Sequence, residues 1–220
     1  DVPDNGQHVF ASGYENLGIS AMLPVAVPGR GRRVLLGGSR GPLLTDGDHI
    51  ETLAPACTPH GLIYDIEPLA SGDLWLATRA GVTRLRWGEE GAECEAIVEP
   101  GTAARTVYEI ATDPLGRVHL FGYDGVRRID ALGADGQPLG AAYHRFGLDD
   151  GLPALEFNRD SHVDDRGRIW AANAGGLVMF DSGAGPSAPS RPALLLDVRL
   201  GGDDLANGAR LSASHGELEF

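Results

Sequence analysis

The chain has 220 residues, with 18 basic against 31 acidic side chains and a formal net charge of −13. That balance excludes the Lys/Arg-rich surface needed to displace counterions from nucleic acid, and it disfavours docking on anionic lipid. The apolar content of 42% is too high for a disordered chain, the 32 glycines and 14 prolines require many turns, and no apolar run of about 18 residues is present to span a bilayer as a helix.

In chain order, the start Asp1-Val2-Pro3-Asp4 shows no signal peptide and reads as an engineered boundary or a processed start. Residues 7–11 fit the outer strand of a preceding unit. Strands are then expected at 20–27, 34–36, 43–44 and 49–53, followed by 63–69, 74–78, 82–87 and 94–98. A third group falls at 107–111, 118–121, 126–129 and 142–146, with 133–139 as a loose glycine-rich turn. A fourth group has only three strands, at 158–163, 169–172 and 177–180. Between them lie turn formers such as Ser71-Gly72-Asp73, Asp113-Pro114-Leu115-Gly116 and Asp164-Asp165-Arg166-Gly167. In these turns Gly supplies positive φ, and Asp or Ser adds local hydrogen bonds.

Residues 183–192, with their prolines, serines and glycines, read as a linker. A strand at 193–200, a turn at 201–204 and a strand opening at 216–220 then begin a second β domain, and the chain stops in mid-strand at Phe220.

The groups are copies of one another. A nine-residue pattern starts at Val34, Leu74, Val118 and Ile169, at intervals of 40, 44 and 51 residues. Each copy is an apolar strand, a short turn, a glycine at the eighth place (Gly41, Gly81, Gly125, Gly176) and a second strand. Several strands per unit of this length mark a β-propeller blade. The fold class is therefore all-β: a partial β-propeller of about four blades plus the first strands of a β-sandwich. The propeller should occupy 1–182, with blades at 20–60, 61–104, 105–150 and 151–182 and residues 1–19 left from an earlier blade. The truncated sandwich should occupy 193–220. The strands are near-continuous apolar runs because blades bury both faces. Four blades seldom close a ring, so the end blades should present bare apolar faces that favour self-association.

The repeat resembles the two-component regulator propeller repeat. The stretch from Gly72-Asp73-Leu74-Trp75 through Gly81-Val82-Thr83-Arg84-Leu85 carries the likeness, as does Asp165-Arg166-Gly167-Arg168-Ile169-Trp170 followed by Gly175-Gly176-Leu177. The third copy has His119 in place of Trp, and the first has Leu35 there and Pro42 after its glycine. Gly151-Leu152-Pro153 through Glu156-Phe157-Asn158 resembles the lead-in to that family's final blade, and 193–220 the opening of its immunoglobulin-like three-tyrosine domain. The resemblance implies the sensory end of a membrane sensor: a periplasmic part of an inner-membrane protein, whose output is a histidine kinase or a diguanylate cyclase. It implies a small-molecule ligand, with carbohydrate as the family-level suggestion, and no catalysis in this portion.

Several sharper motifs yield to the repeat. Gly37-Gly38-Ser39-Arg40-Gly41 spells a nucleophile elbow, but that motif needs a helix after the turn, and here a strand follows. Gly201-Gly202-Asp203-Asp204-Leu205 faintly matches a cyclase loop with no cyclase around it. Leu35, Trp75, His119 and Trp170 share one slot, which favours packing between blades over a sugar platform. The other histidines (His8, His49, His60, His144, His162, His215) have no metal-ligand spacing, and Asp149-Asp150 and Asp164-Asp165 lack the alternating ligands of a calcium loop. No cofactor and no metal are expected. Cys57 and Cys94, placed at opposite ends of a blade, are expected to stay unpaired.

Turns between second and third strands and the connections between blades emerge on one rim. That rim gathers Arg40, Arg79, Tyr123, Asp124, His60, Arg105, Asn158 and Arg159 as candidate ligand-binding residues. Arg is favoured among them because its planar fork can clamp a carboxylate or sugar hydroxyls. The expected function is a non-catalytic sensory module, with a propeller enzyme of streptogramin-lyase type and a protein-interaction scaffold as alternatives.

Overall fold

The computed structural model describes residues 18–53, 62–89, 91–99 and 105–183, together with the backbone of three short strands beyond them. The expected strand at 7–11, most of the linker and most of the strand at 193–200 lie outside the described residues. Two compact units divide between Gly185 and Pro186.

The first unit is a β-propeller arrangement of four antiparallel sheets. Blade 1 runs β1 (Ile19–Val27), β2 (Gly31–Gly38), β3 (Gly41–Thr45) and β4 (Ile50–Thr52). Blade 2 runs β5 (Ile63–Pro68), β6 (Leu74–Thr78), β7 (Gly81–Gly88) and β8 (Gly91–Ile97). Blade 3 runs β9 (Glu109–Thr112), β10 (Val118–Gly122), β11 (Gly125–Ile129) and β12 (Tyr143–Phe146). Blade 4 has three strands, β13 (Phe157–Val163), β14 (Arg168–Asn173) and β15 (Gly176–Asp181). Strand order in each sheet follows chain order. The first strands of successive blades contact one another and line one cavity, so they lie innermost.

Alternation along each strand sends successive side chains to opposite neighbours. In blade 2, Leu74, Leu76 and Leu85 pack toward blade 1 with Val25, Leu35 and Leu44. Trp75, Ala77 and Val82 point the other way, onto Val107, Ile110 and Leu120 of blade 3. Blade 3 in turn sets Phe121 and Val126 against Phe157, Ile169 and Ala171 of blade 4. Both faces of a middle blade are thus buried, which accounts for the continuous apolar runs in the sequence. The repeat glycines Gly41, Gly81, Gly125 and Gly176 all sit at positive φ in the turn between second and third strands.

Two loops depart from expectation. Residues 133–139 are not loose: Gly133 donates to Gln137, Leu132 pairs with Pro138, and the Gln137 side chain reaches the Glu95 carboxylate and the Ala96 carbonyl of blade 2, at 3.0 and 3.2 Å. The tip is held by its neighbour, which local composition does not reveal. Cys94 is disulfide-bonded, against the expectation of unpaired thiols. The chain's one other cysteine is Cys57, outside the described residues. Separation in blade order does not by itself exclude a bridge, since a connection between blades can pass any edge of either one.

The second unit contains β16 (Arg199–Leu200), β17 (Asp203–Asp204) and β18 (Leu218–Glu219), antiparallel in the order β17-β16-β18. Asp203 and Asp204, expected in a turn, are strand residues. Pairing Leu200 with Asp203 leaves only two positions between the strands, the length of a tight hairpin.

Candidate functional site in the central channel

The innermost strands β1, β5, β9 and β13 all contribute to one cavity of about 490 Å³, lined by Ser20, Tyr64, Asp65, Glu109, Arg159 and Asp160 among others. Pairing register makes several of these residues equivalent. Trp75 faces Glu67, His119 faces Ala111 and Trp170 faces His162. Counted from those pairs, Asp65, Glu109 and Asp160 hold one position, and Tyr64, Tyr108 and Arg159 hold the one before it. Blade 1 has Ser20 and Ala21 at these places.

The carboxylates connect blades. Asp65 accepts from Ile66 N–H at 2.7 Å within its own strand and from Ile110 N–H of blade 3 at 2.9 Å. Glu67 accepts from Thr112 N–H at 2.9 Å, across the same boundary. Glu109 accepts from the Ser161 N–H and hydroxyl of blade 4, at 3.2 and 3.0 Å. Ser20 donates to the Ile63 carbonyl, joining blade 1 to blade 2. The inner edges of the blades, which no neighbouring strand pairs, thus find partners in side chains. Aromatic contacts bridge the same space: Tyr64 and Tyr108 meet edge to face at 5.1 Å, and the Arg159 guanidinium lies 5.8 Å from the Tyr64 ring centre.

Burial dominates the electrostatics. It raises the pKa of Asp65 and Glu67, against the pull of their backbone hydrogen bonds. Glu109 is pushed up to about 7, first by burial and then by the Asp65 charge, with the Ser161 bonds opposing. Among the described residues no group of three His, Cys, Asp or Glu side chains is placed to hold a metal ion, and no helix is long and apolar enough to cross a membrane.

The residues named from sequence are distributed as follows. Arg159 lines the channel cavity. Arg105 and Asp124 meet in an ion pair at 2.8 Å, and Asp124 also approaches Arg127 at 3.5 Å. Arg79 and Tyr123 are exposed in their turns, and the Arg79 carbonyl accepts from the Thr106 hydroxyl at 3.0 Å. Arg40 is exposed in the β2–β3 turn and Asn158 is exposed on β13. His60 lies outside the described residues. The first three residues of each inner strand lie toward the rim that carries these turns, since Ile63 pairs with Thr78 and Glu109 with Phe121.

Of the shared slot, Leu35 and Trp75 are wholly buried and His119 nearly so, each against the following blade. Burial holds the His119 imidazole neutral, its pKa lowered to about 4. Trp170 keeps the register but is only partly buried, with the Arg168 guanidinium 5.1 Å from its ring centre and Nε1 donating to Asp164 at 2.9 Å. Asp164 also caps its own turn through Arg166 and Arg168 N–H, as Asp113 does through Leu115 and Arg117.

Sequence reading missed Asp65 and Glu109, although their signal was present. Asp65, Glu109 and Asp160 each stand ten residues before the slot residues Trp75, His119 and Trp170. It also missed Arg127 and Glu99, buried 3.3 Å apart, with the Tyr143 hydroxyl donating to Glu99 at 2.6 Å. A second groove of about 530 Å³ lies between the outer strands of blades 1 and 2, beside Trp87 and the Arg30–Glu51 ion pair. Among the described residues, the channel is the cavity that gathers polar groups from all four blades.

No family model matches the chain, and no curated protein does. Solved structures do. The extracellular domain of BT3049 from B. thetaiotaomicron, described as a hybrid two-component system, matches at a TM-score of 0.63 and 15% identity over 96% of this chain and 28% of its own. That of BT4673 from the same organism, described both as a one-component and as a hybrid two-component system, gives 0.58 and 18% over 76% and 24%. PorZ, a surface component of the type-IX secretion system of Porphyromonas gingivalis, gives 0.53 and 18% over 79% and 27%. The chain thus spans about a quarter of the length of these structures. The likeness establishes the fold: a β-propeller of the kind found in the extracellular domains of bacterial two-component sensors.

Proposed function

We propose that the chain is part of the periplasmic sensory region of a membrane-bound two-component-type sensor and binds a polar small molecule in the propeller channel. The observation that carries this reading is the double engagement of the channel carboxylates. Asp65 and Glu109 line the cavity and at the same time hold the inner strand of the next blade. A ligand that donates hydrogen bonds to these oxygens competes with the N–H groups they hold and changes how neighbouring blades are held, so occupancy and blade packing are linked without catalysis. The fold shared with sensor extracellular domains supports the setting, and the disulfide at Cys94 suits an oxidising compartment.

A hydroxyl-rich ligand such as a sugar fits the chemistry. Carboxylates accept from hydroxyls, Arg159 donates, and Tyr64 offers a ring face. Propeller and second unit would then relay the change through a membrane helix to a kinase or cyclase output. The test is a thermal-shift screen of mono- and oligosaccharides against the protein and its Arg159→Ala and Asp65→Asn variants. A stabilising sugar whose shift disappears in both variants supports the channel. A sugar whose shift survives both moves the site elsewhere, with Arg79→Ala and Arg30→Ala then separating the rim from the outer groove.

A further inference from the structure

Blade 3 grips blade 4 at two places, and one strand joins them. At the channel, Glu109 opens β9 and accepts from the Ser161 N–H and hydroxyl. At the other end, the buried Asp113 directly follows β9 and accepts from Arg117 Nε–H at 2.6 Å. The Nη2 arm of the same guanidinium donates to the Ser182 carbonyl at 3.0 Å, one residue past β15, where the chain leaves blade 4. The exit is held further by the Ser182 hydroxyl, which donates to the Gly167 carbonyl at 2.8 Å. Gly167 itself lies against blade 3, since a Cβ on it would stand 2.4 Å from Pro114 Cγ.

This clamp is an addition to the repeat. The residue just before the nine-residue pattern is Arg33, Asp73, Arg117 and Arg168 in the four blades. Arg33 donates to the Arg32 carbonyl and approaches Asp46 at 4.0 Å, both within blade 1. Asp73 has no cationic donor to offer. Arg168 turns both arms back onto Asp164 of its own turn. Among the described residues, Arg117 is the one of the four that reaches the following blade, and it reaches it at the exit.

The strand between the grips is suited to move as one body. All four residues of β9 pair with β10 in unbroken register, Glu109 with Phe121 through Thr112 with Val118, whereas β5 and β13 slip register near the channel. Its length is about 13 Å. Ala111, midway along it, packs in one cluster with Ile169 and Ala171 of blade 4. A shift of the Glu109–Ser161 contact therefore displaces β9 against blade 4 and alters the Arg117–Ser182 contact at its far end.

We infer that Arg117 is a positioning residue that ties the exit of the propeller to the channel: a change at Glu109 is carried along β9 and delivered to Ser182. This gives the sensory reading proposed above a route out of the channel. It is tested with no ligand present, so a channel that binds nothing would sink that reading and leave this coupling standing. The coupling runs through a demonstrable chain of contacts, and its energetic reality is a matter for double substitution.

The experiment is amide NMR of the protein at pH 8, where Glu109 is ionised. Glu109→Gln removes the charge and keeps the side chain's size. It is expected to displace the Ser161 amide peak, which it touches, and the Ser182 and Gly183 peaks, which it does not, while the β2 peaks of blade 1 stay in place. In an Arg117→Ala background the same substitution should still displace Ser161 but leave Ser182 and Gly183 unmoved. Should Arg117→Ala fail to fold, with buried Asp113 left without its cation, Arg117→Lys keeps that charge and gives up one of the two arms. Ser182 and Gly183 peaks that ignore Glu109→Gln in the parent overturn the proposal, since Arg117 would then be a local clamp only. An equal displacement in the Arg117 variant also overturns it, because the change would travel through blade 4 itself. So does a displacement shared by β2, which would report general loosening.

Discussion

Two buried titratable side chains act on stability in opposite directions. The folded Glu109 keeps its proton up to about pH 7, while the unfolded chain releases it near 4.5. Stability therefore falls as pH rises through that window. His119 is neutral in the folded state down to about pH 4, while the unfolded imidazole protonates near 6.5, so stability falls as pH drops from 6.5 toward 4. Where the windows overlap, the two slopes offset each other. Glu109→Gln removes one of them. Melting of this variant should drop more steeply than the parent's on acidification below pH 6.5, and should exceed the parent's at pH 8 by an amount on the order of 1 kcal/mol after screening. A constant gap between the two proteins at pH 5, 6.5 and 8 would show that Glu109 titrates normally. Trp75, wholly buried between blades 2 and 3, makes a plainer case: Trp75→Ala should lose about 3–5 kcal/mol in denaturant unfolding. An unchanged midpoint would mean that the slot is not a packing position.

The elements were the most readable part of the molecule. The strand Leu74–Thr78 falls where apolar periodicity and flanking turn residues put it, and strands elsewhere differ by a few residues at their ends. The glycine at the eighth place was readable because the turn needs positive φ. Its surroundings were not. A Cβ on Gly125 would lie 2.3 Å from the Phe146 carbonyl oxygen, whereas one on Gly176 would meet nothing within 4 Å. Both positions are strained for alanine, so Gly125→Ala and Gly176→Ala should each destabilise, and Gly125→Ala clearly more, in parallel thermal melts. Equal losses would mean that dihedral strain alone decides. The ordered turn at 133–139 and the disulfide at Cys94 were unreadable for one reason. Each depends on a segment of another blade or connection, and a sequence window carries no information about which edge of a blade lies near which. The channel carboxylates belong between these cases. Their ten-residue interval before Trp75, His119 and Trp170 is plain in the sequence, but only the strand pairing shows that the interval places a carboxylate on the inner edge.

For the whole molecule, stability should depend on redox state. Opening the disulfide at Cys94 frees the outer strand of blade 2, which also receives the Gln137 side chain from blade 3. Melting in the presence of a reductant should fall, by about 2–5 kcal/mol in unfolding free energy. No change on verified reduction would show that the bridge contributes little to holding these blades.

The inner-edge bridges have a consequence for how such a chain can grow. Asp65 reaches Ile110 and Glu109 reaches Ser161 by the same offset, so blade 3 presents to blade 4 what it accepted from blade 2. A duplicated copy spliced between two existing ones would find matching chemistry on either side. An insertion inside the ten-residue interval would instead swing its carboxylate off the edge and break the succession. Genes for such chains can thus lengthen by whole units and tolerate length changes at the periphery, while the span from inner-edge acid to slot residue stays fixed.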